Sequence, residues 1–264
     1  MSQITSKDGT PIAYECLGRG SAVVLVGGGA TDRTENEPLA TELAKYFRVY
    51  NYDRRGRGKS GDTLPYALER EVEDIEALIA LAGGPVHLFG ASSGGALVLE
   101  AAAHGIAVDK LAVYEVPYDT SHDAPRRFAE YEAKLQVLLA EGRRGDAFAE
   151  FMRLAGSSEA EISSARTLPV WPSLEALAHT LLYDAACYRN PPGARFAAIL
   201  RPTLVLTGAA EPSSHDGNFF GRAATAIVAS IPHAKRQVLK GQTHVADPKV
   251  LASVLRRFFD ESTP

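Results

Sequence analysis

The sequence predicts an α/β protein, a mostly parallel eight-stranded sheet wrapped by helices on both faces, with an inserted helical cap. Three observations carry this. Short apolar runs such as Val23-Val24-Leu25-Val26 and Leu111-Ala112-Val113-Tyr114 alternate with segments of helical period, as expected for strands covered on both sides. One such run leads through Gly90-Ala91-Ser92-Ser93-Gly94 directly into a helical pattern. From about residue 120 to 200 strand patterns stop and only amphipathic helices follow.

The elements follow in order. Residues 2–6 and 11–16 read as two strands joined by the turn dipeptide Asp8-Gly9. The run Val23–Val26 ends in Gly27-Gly28-Gly29-Ala30, where backbone N–H groups can approach a ligand closely. No G-K-[ST] ending and no G-x-G-x-x-G follows, so a nucleotide phosphate is not the expected occupant. Glu37–Tyr46 reads as a helix and Arg48–Tyr52 as a strand. The basic stretch Asp53-Arg54-Arg55-Gly56-Arg57-Gly58-Lys59-Ser60 reads as a turn held by Asp53 and Arg54, its glycines interrupting any nucleic-acid patch. Val72, Ile75, Leu78 and Ile79 mark a helix that stops at Gly83-Gly84.

Gly84–Leu88 is then a short buried strand, and Ala96–Ala103 a helix with Gly105 placed to end it. In the cap, Phe128, Tyr131, Leu135 and Leu138 recur at helical spacing. Asp146 is placed to cap a helix carrying Phe148 and Phe151, Ser158 and Glu161 form a capping box, and Ser173 is placed to cap a helix through Leu182. Core strands return at Pro202–Gly208 and Ala234–Leu239, separated by a helix over Ala223–Ile231, and a helix follows from about Asp247 to Phe259. The expected organisation is one core domain from residues 1–119 and 201–264, with the cap at 120–200.

Composition excludes several classes. A net charge of −4 argues against a nucleic-acid partner. No apolar run approaches the roughly 20 residues that span a bilayer, and the first eight residues are polar, so neither a membrane nor a signal segment is expected. The two cysteines, Cys16 and Cys187, read as small buried hydrophobes in a reducing compartment, and a cytoplasmic location is expected. No histidine pair has metal-ligand spacing, so no metal and no cofactor is expected. The expected partner is a small-molecule substrate.

Strand, G-x-S-x-G and helix together form a nucleophile elbow. The chain must reverse within about two residues, which forces Ser92 into a strained conformation and lifts it above the sheet. Gly90 and Gly94 leave room where a side chain would collide with a neighbouring strand or helix. The N–H of Ser93 opens the helix and can hold an oxyanion. The second donor is expected from the glycine run, Gly29 first and Gly28 as the alternative.

At this point the chain resembles the α/β-hydrolases over nearly its whole length. The resemblance rests on the glycine turn after the third strand, Asp53-Arg54-x-Gly56-x-Gly58-x-Ser60, the elbow at Gly90–Gly94, a strand ending at Gly208, and the late His244. In that family the triad runs nucleophile, acid, histidine. The resemblance therefore implies Ser92 as nucleophile and His244 as base. It places the acid about three residues past Gly208, at Glu211, with Glu115 at the end of the sixth strand and Asp216 as alternatives. The chain departs from the family where Gly27 stands in place of a common histidine and where the acid is Glu instead of the commoner Asp. His215 is the rival base, while His87 reads as a core residue and His104, His122, His179 and His233 as helix-end, cap or surface residues.

The expected activity is hydrolysis of a small or medium ester or lactone through an acyl-serine, with Phe128, Tyr131, Trp171 and Tyr183 as candidate pocket residues in the cap. Carbon–carbon bond hydrolysis or a lyase reaction on the same triad is the alternative enzyme. A catalytically weak binding protein is the alternative of another class.

Overall fold

The computed structural model describes residues 1–209 and 219–261. Its eight strands are β1 (Ser2–Thr5), β2 (Pro11–Gly18), β3 (Ala22–Val26), β4 (Arg48–Tyr52), β5 (Val86–Ala91), β6 (Lys110–Tyr114), β7 (Thr203–Gly208) and β8 (Ala234–Leu239). They form one sheet in the order β1-β2-β4-β3-β5-β6-β7-β8. The β1–β2 hairpin and the β2–β4 pair are antiparallel, and every pair from β4 to β8 is parallel.

Alternation along each strand divides the core into two layers, because successive side chains leave opposite faces. Val24, Leu88, Val113 and Val205 point to one face, which is covered by α2 (Leu68–Ala82), α3 (Ser93–Ala103) and α9 (Phe219–Ser230). Val23, Phe89, Ala112 and Leu204 point to the other, covered by α1 (Glu37–Leu43) and α10 (Pro248–Asp260). Each fully buried Leu or Phe contributes roughly 2–3 kcal/mol of burial. Helix α10 shows why local sequence suffices here: Asp247 caps it by accepting from Lys249 N–H, Pro248 opens it, and Leu251, Leu255, Phe258 and Phe259 form its buried stripe. Lys110 Nζ donates to the Phe258 carbonyl at the far end.

Between β6 and β7 lie α4 (Ala124–Ala140), α5 (Arg144–Leu154), α6 (Glu159–Ala165), α7 (Trp171–Leu177) and α8 (Leu181–Tyr188), with no strand among them. The Ser158–Glu161 capping box forms. Two other caps differ from expectation. Asp146 sits inside α5, where it pairs with Arg143 and Arg166. Trp171 and Pro172 begin α7 ahead of Ser173, because Pro is favourable in the first turn. These helices have their own core of Leu135, Leu138, Phe148, Trp171 and Leu181, and Ala30 of the glycine turn joins it. Among the described residues no helix is long and apolar enough to cross a membrane.

Cys187 is buried, and burial pushes its thiol up to about 12, so it is an inert core residue. Cys16 is instead exposed on β2.

Candidate active site

The carboxyl ends of β3, β5, β6 and β7 and the loop after β8 converge on one edge of the sheet. Among the described residues three non-glycine residues have positive φ, and all three are there: Ala30 (φ 49°) after β3, Ser92 (φ 52°) after β5 and Glu115 (φ 45°) after β6. Each costs about 1–2 kcal/mol against an ordinary conformation, and such strain concentrates where function requires it.

The elbow is built as the glycine spacing demands. A Cβ on Gly90 would lie 2.4 Å from the Gly94 carbonyl oxygen. One on Gly94 would lie 2.4 Å from the carbonyl oxygens of both Val26 and Gly27. Strand β5, helix α3 and the end of β3 can therefore approach only with glycine at both positions. Ser92 has φ 52° and ψ −128°, and its N–H continues the sheet by donating to the Tyr114 carbonyl at 2.9 Å. Its Oγ makes no hydrogen bond to a described residue and is partly exposed.

One strand over, Glu115 is 6% exposed and fully occupied. Its Oε1 accepts the Gly208 N–H at 2.8 Å, and its Oε2 meets His244 Nδ1 at 2.8 Å. A Cβ on Gly208 would lie 3.0 Å from that Oε1 and 2.3 Å from the Gln242 carbonyl oxygen, so glycine at the end of β7 admits both. The histidine loop is tied down by Ala209 N–H donating to the Gln242 carbonyl at 3.1 Å and by Tyr114 Oη donating to the Thr243 carbonyl. The His244 ring stacks on Phe220 at the start of α9, centroids 4.9 Å apart and planes at 14°. Among the described residues, Glu115 is the carboxylate on His244. Glu211 and Asp216, with His215, lie outside the described residues.

The candidate oxyanion donors differ in their partners. Gly28 N–H donates to Glu35 Oε2 at 3.1 Å, which engages the alternative donor elsewhere. Gly29 N–H has no partner among the described residues, and Ser93 N–H opens α3, where no intrahelical acceptor exists. Ser93 follows Ser92 directly, and a Cβ on Gly29 would lie 3.5 Å from Ser93 Oγ.

The turn Asp53–Ser60 holds together differently from expectation. Asp53 fixes it, accepting from Arg33 N–H at 2.8 Å and Lys59 N–H at 2.9 Å, and a Gly58 Cβ would strike this carboxylate at 2.3 Å. Arg54, however, points into the protein and pairs with Glu71 (2.7 Å) and Asp184 (2.8 Å). Arg57 also pairs with Asp184, at 2.7 Å, and Arg55 with Asp74, at 2.7 Å. Asp184 belongs to α8 and also accepts from Ser93 Oγ at 2.8 Å and Ala30 N–H at 3.1 Å. Burial opposes its charge, but Arg57 and Arg54 outweigh burial and hold its carboxyl below the usual carboxylate range. Neither Asp184 nor Phe220 is marked by any local sequence pattern.

The four candidate pocket residues are each held by packing neighbours within the fold. Trp171 lies inside the helical segment, its Nε1 donating to Glu175 at 2.8 Å and its ring against Phe148. Tyr183 stacks on Tyr66 (3.9 Å, 6°) and donates to Asp62, lining an outer groove of about 670 Å³ that touches neither Ser92 nor His244. Both are taken by packing because each has a polar tip and a nearby acceptor. Phe128 packs edge-on between Tyr131 and Tyr188, and Tyr131 lies in the same cluster as Ala30, with its Oη buried and unpartnered.

Comparison with known proteins bears on the family and the fold. A model of the alpha/beta hydrolase family matches residues 23–254. The solved structure of an alpha/beta hydrolase from Sphaerobacter thermophilus is 45% identical, covers 98% of this chain and 100% of its own, and superposes with a TM-score of 0.87. An uncharacterized hydrolase of Bacillus subtilis is 33% identical over 96 residues, 35% of each chain. The N-formylmaleamate deformylase of Pseudomonas putida is 37% identical over 91 residues, 33% of this chain and 34% of its own. The matched stretch thus spans about a third of the length of these two relatives. With the family model covering most of its length, the chain belongs to the alpha/beta hydrolase family.

Proposed function

We propose that the protein is a serine hydrolase of carboxylic esters or lactones that works through an acyl-serine, with Ser92 as nucleophile, His244 as base and Glu115 as the acid. The observation that carries this is the buried Glu115 carboxylate on His244 Nδ1, one strand away from a strained Ser92 whose Oγ has no partner among the described residues. A serine hydroxyl is a weak nucleophile until a base takes its proton as it attacks. With Nδ1–H held by Glu115, His244 presents Nε2 as the acceptor. Ser92 Oγ bonds to the substrate carbonyl carbon as its proton passes to Nε2. The developing oxyanion lies on the N–H groups of Ser93 and Gly29, each worth about 3 kcal/mol at the transition state. The imidazolium returns the proton to the leaving oxygen as the carbon–oxygen bond breaks. Water then repeats the sequence, releasing the acid and free Ser92. Deformylation, which the Pseudomonas putida relative's name describes, is also acyl transfer, so a formyl amide belongs on the substrate panel.

The test is intact mass after treatment with a serine-directed fluorophosphonate, on wild type, Ser92→Ala and His244→Ala, followed by an ester, lactone and formyl-amide panel. The expected result is one adduct on the wild type, none on the two variants, and turnover of at least one panel member. A folded wild type that takes no adduct refutes the hydrolase and leaves a small-molecule binding protein as the reading.

A further inference from the structure

The carboxylate of Asp184 touches both walls of the candidate oxyanion hole. Its Oδ1 accepts from Ser93 Oγ (2.8 Å), Arg54 Nη1 (2.8 Å) and Arg57 Nη2 (2.7 Å). Its Oδ2 accepts the N–H of Ala30 (3.1 Å). Ser93 and Gly29 carry the two donor N–H groups. The carboxylate thus grips the side chain of one donor residue and the peptide that follows the other. It lies so close to Gly29 that a Cβ there would be 3.2 Å from Oδ2 and 3.5 Å from Ser93 Oγ.

The surrounding contacts show a built assembly. Asp184 is 1% exposed, and Arg54 and Arg57 are each 1–2% exposed. The two guanidiniums also hold the glycine turn from its carbonyl side, Arg57 Nη1 donating to Gly28 O at 2.7 Å and Arg54 Nη1 to Gly27 O at 3.3 Å. Ala30 has φ 49°, a conformation that alanine does not adopt unaided, and its N–H is the group that Asp184 takes. A backbone turn with strain in it and glycines beside it has other conformations available. The carboxylate removes them.

Asp184 lies on α8, between β6 and β7, 154 residues from Ala30 and 91 from Ser93. Resting on the hydrolase reading above, we propose that Asp184 is a positioning residue that sets both oxyanion donors at once, so that seating of the helical segment and competence of the hole are one event. It touches no reacting atom in this scheme. Its effect is to keep the N–H groups of Gly29 and Ser93 aimed at the developing oxyanion before substrate arrives, which is what makes such donors effective.

Two substitutions cut the two grips separately. In Asp184→Asn the amide oxygen faces the three donors on the Oδ1 side, and the NH2 then meets the Ala30 N–H, donor against donor. Ser93→Ala removes the elbow grip, together with the 3.3 Å contact from Arg54 Nη1 to Ser93 Oγ, and leaves Arg54 and Arg57 paired with Asp184. The measurements are the second-order rate of fluorophosphonate adduct formation at Ser92, and protection against it by phenylboronic acid and by benzoate. Phenylboronate takes a tetrahedral form on an activated serine and places an oxygen in the hole, whereas benzoate forms no tetrahedral adduct.

The expected result is a 30- to 100-fold slower adduct rate for Asp184→Asn and a 5- to 20-fold slower rate for Ser93→Ala. Phenylboronate protection should weaken in proportion while benzoate protection stays within threefold, melting temperature being followed in parallel. A folded Asp184→Asn or Ser93→Ala that labels within threefold of the wild type overturns the inference. Equal weakening of benzoate and boronate protection also overturns it, since that is what a merely structural role produces. If Asp184→Asn does not fold, Ser93→Ala decides alone. A wild type that takes no adduct removes the hydrolase reading itself, a result separate from the two variant outcomes.

Discussion

Replacing Glu115 with glutamine should nearly abolish turnover, and the structure says why an isosteric change suffices. One carboxylate oxygen accepts the Gly208 N–H at 2.8 Å and the other faces His244 Nδ1 at 2.8 Å. A glutamine has one acceptor and one donor end. Gly208 N–H is a fixed donor, so the amide oxygen is drawn to it and the NH2 is left facing Nδ1. Nδ1 must then be an acceptor, which moves the ring proton to Nε2, the atom that has to take the proton of Ser92. The wrong tautomer of a triad histidine lowers turnover by about 10⁴-fold, or about 5.5 kcal/mol at 1.4 kcal/mol per factor of ten. Glu115→Asp should lose less, because it keeps the charge and only shortens the reach. The assay is the fluorophosphonate adduct rate with kcat on the best panel ester, beside Glu211→Gln and Asp216→Asn as comparators expected within threefold of the wild type. A folded Glu115→Gln that retains more than a tenth of wild-type kcat would refute the argument, and a collapse in Glu211→Gln would move the acid to that position.

The remaining predictions concern stability. Gly94→Ala should cost about 3 kcal/mol or more, since its Cβ would sit 2.4 Å from two backbone carbonyl oxygens. Gly84→Ala, whose Cβ meets nothing within 4 Å, should be neutral to about 0.5 kcal/mol, and urea melts of the pair check both. His87, stacked on Phe259 at 4.6 Å in the core, is pushed below the usual imidazole range by burial. A depressed folded pKa means stability that is complete above the unfolded value of about 6.5 and is lost as pH falls through the folded value. His87→Leu should therefore lack that part of the decline in melting temperature between pH 8 and pH 5, and a parallel decline in wild type and variant would sink the assignment.

How much of this site can be read in the chain follows from how local each demand is. The elbow is legible because its geometry is imposed within five residues, and Gly90 and Gly94 answer contacts that any such turn makes. The acid is harder. Whether a carboxylate after β6 or after β7 reaches His244 depends on Gly208 leaving room for Glu115 across 93 residues of sequence, a relation between neighbouring strand ends. The pocket aromatics are harder still, since helical spacing marks a buried face without saying what it is buried against. Tyr183 and Trp171 both found acceptors inside the fold.

The basic turn carried more information than its glycines suggested. Arg54, Arg55 and Arg57 are all at most 2% exposed. A buried guanidinium needs a carboxylate with it, because burying the charge alone costs several kcal/mol. The turn itself offers only Asp53, which is occupied by backbone N–H groups and Arg33. Three buried cations therefore require anions from elsewhere, and the fold supplies Glu71 and Asp74 from α2 and Asp184 from α8. Once those arginines are inside, a helix bearing a carboxylate must dock over the glycine turn. That requirement brings the helices between β6 and β7 down onto the edge of the sheet where Ser92 stands.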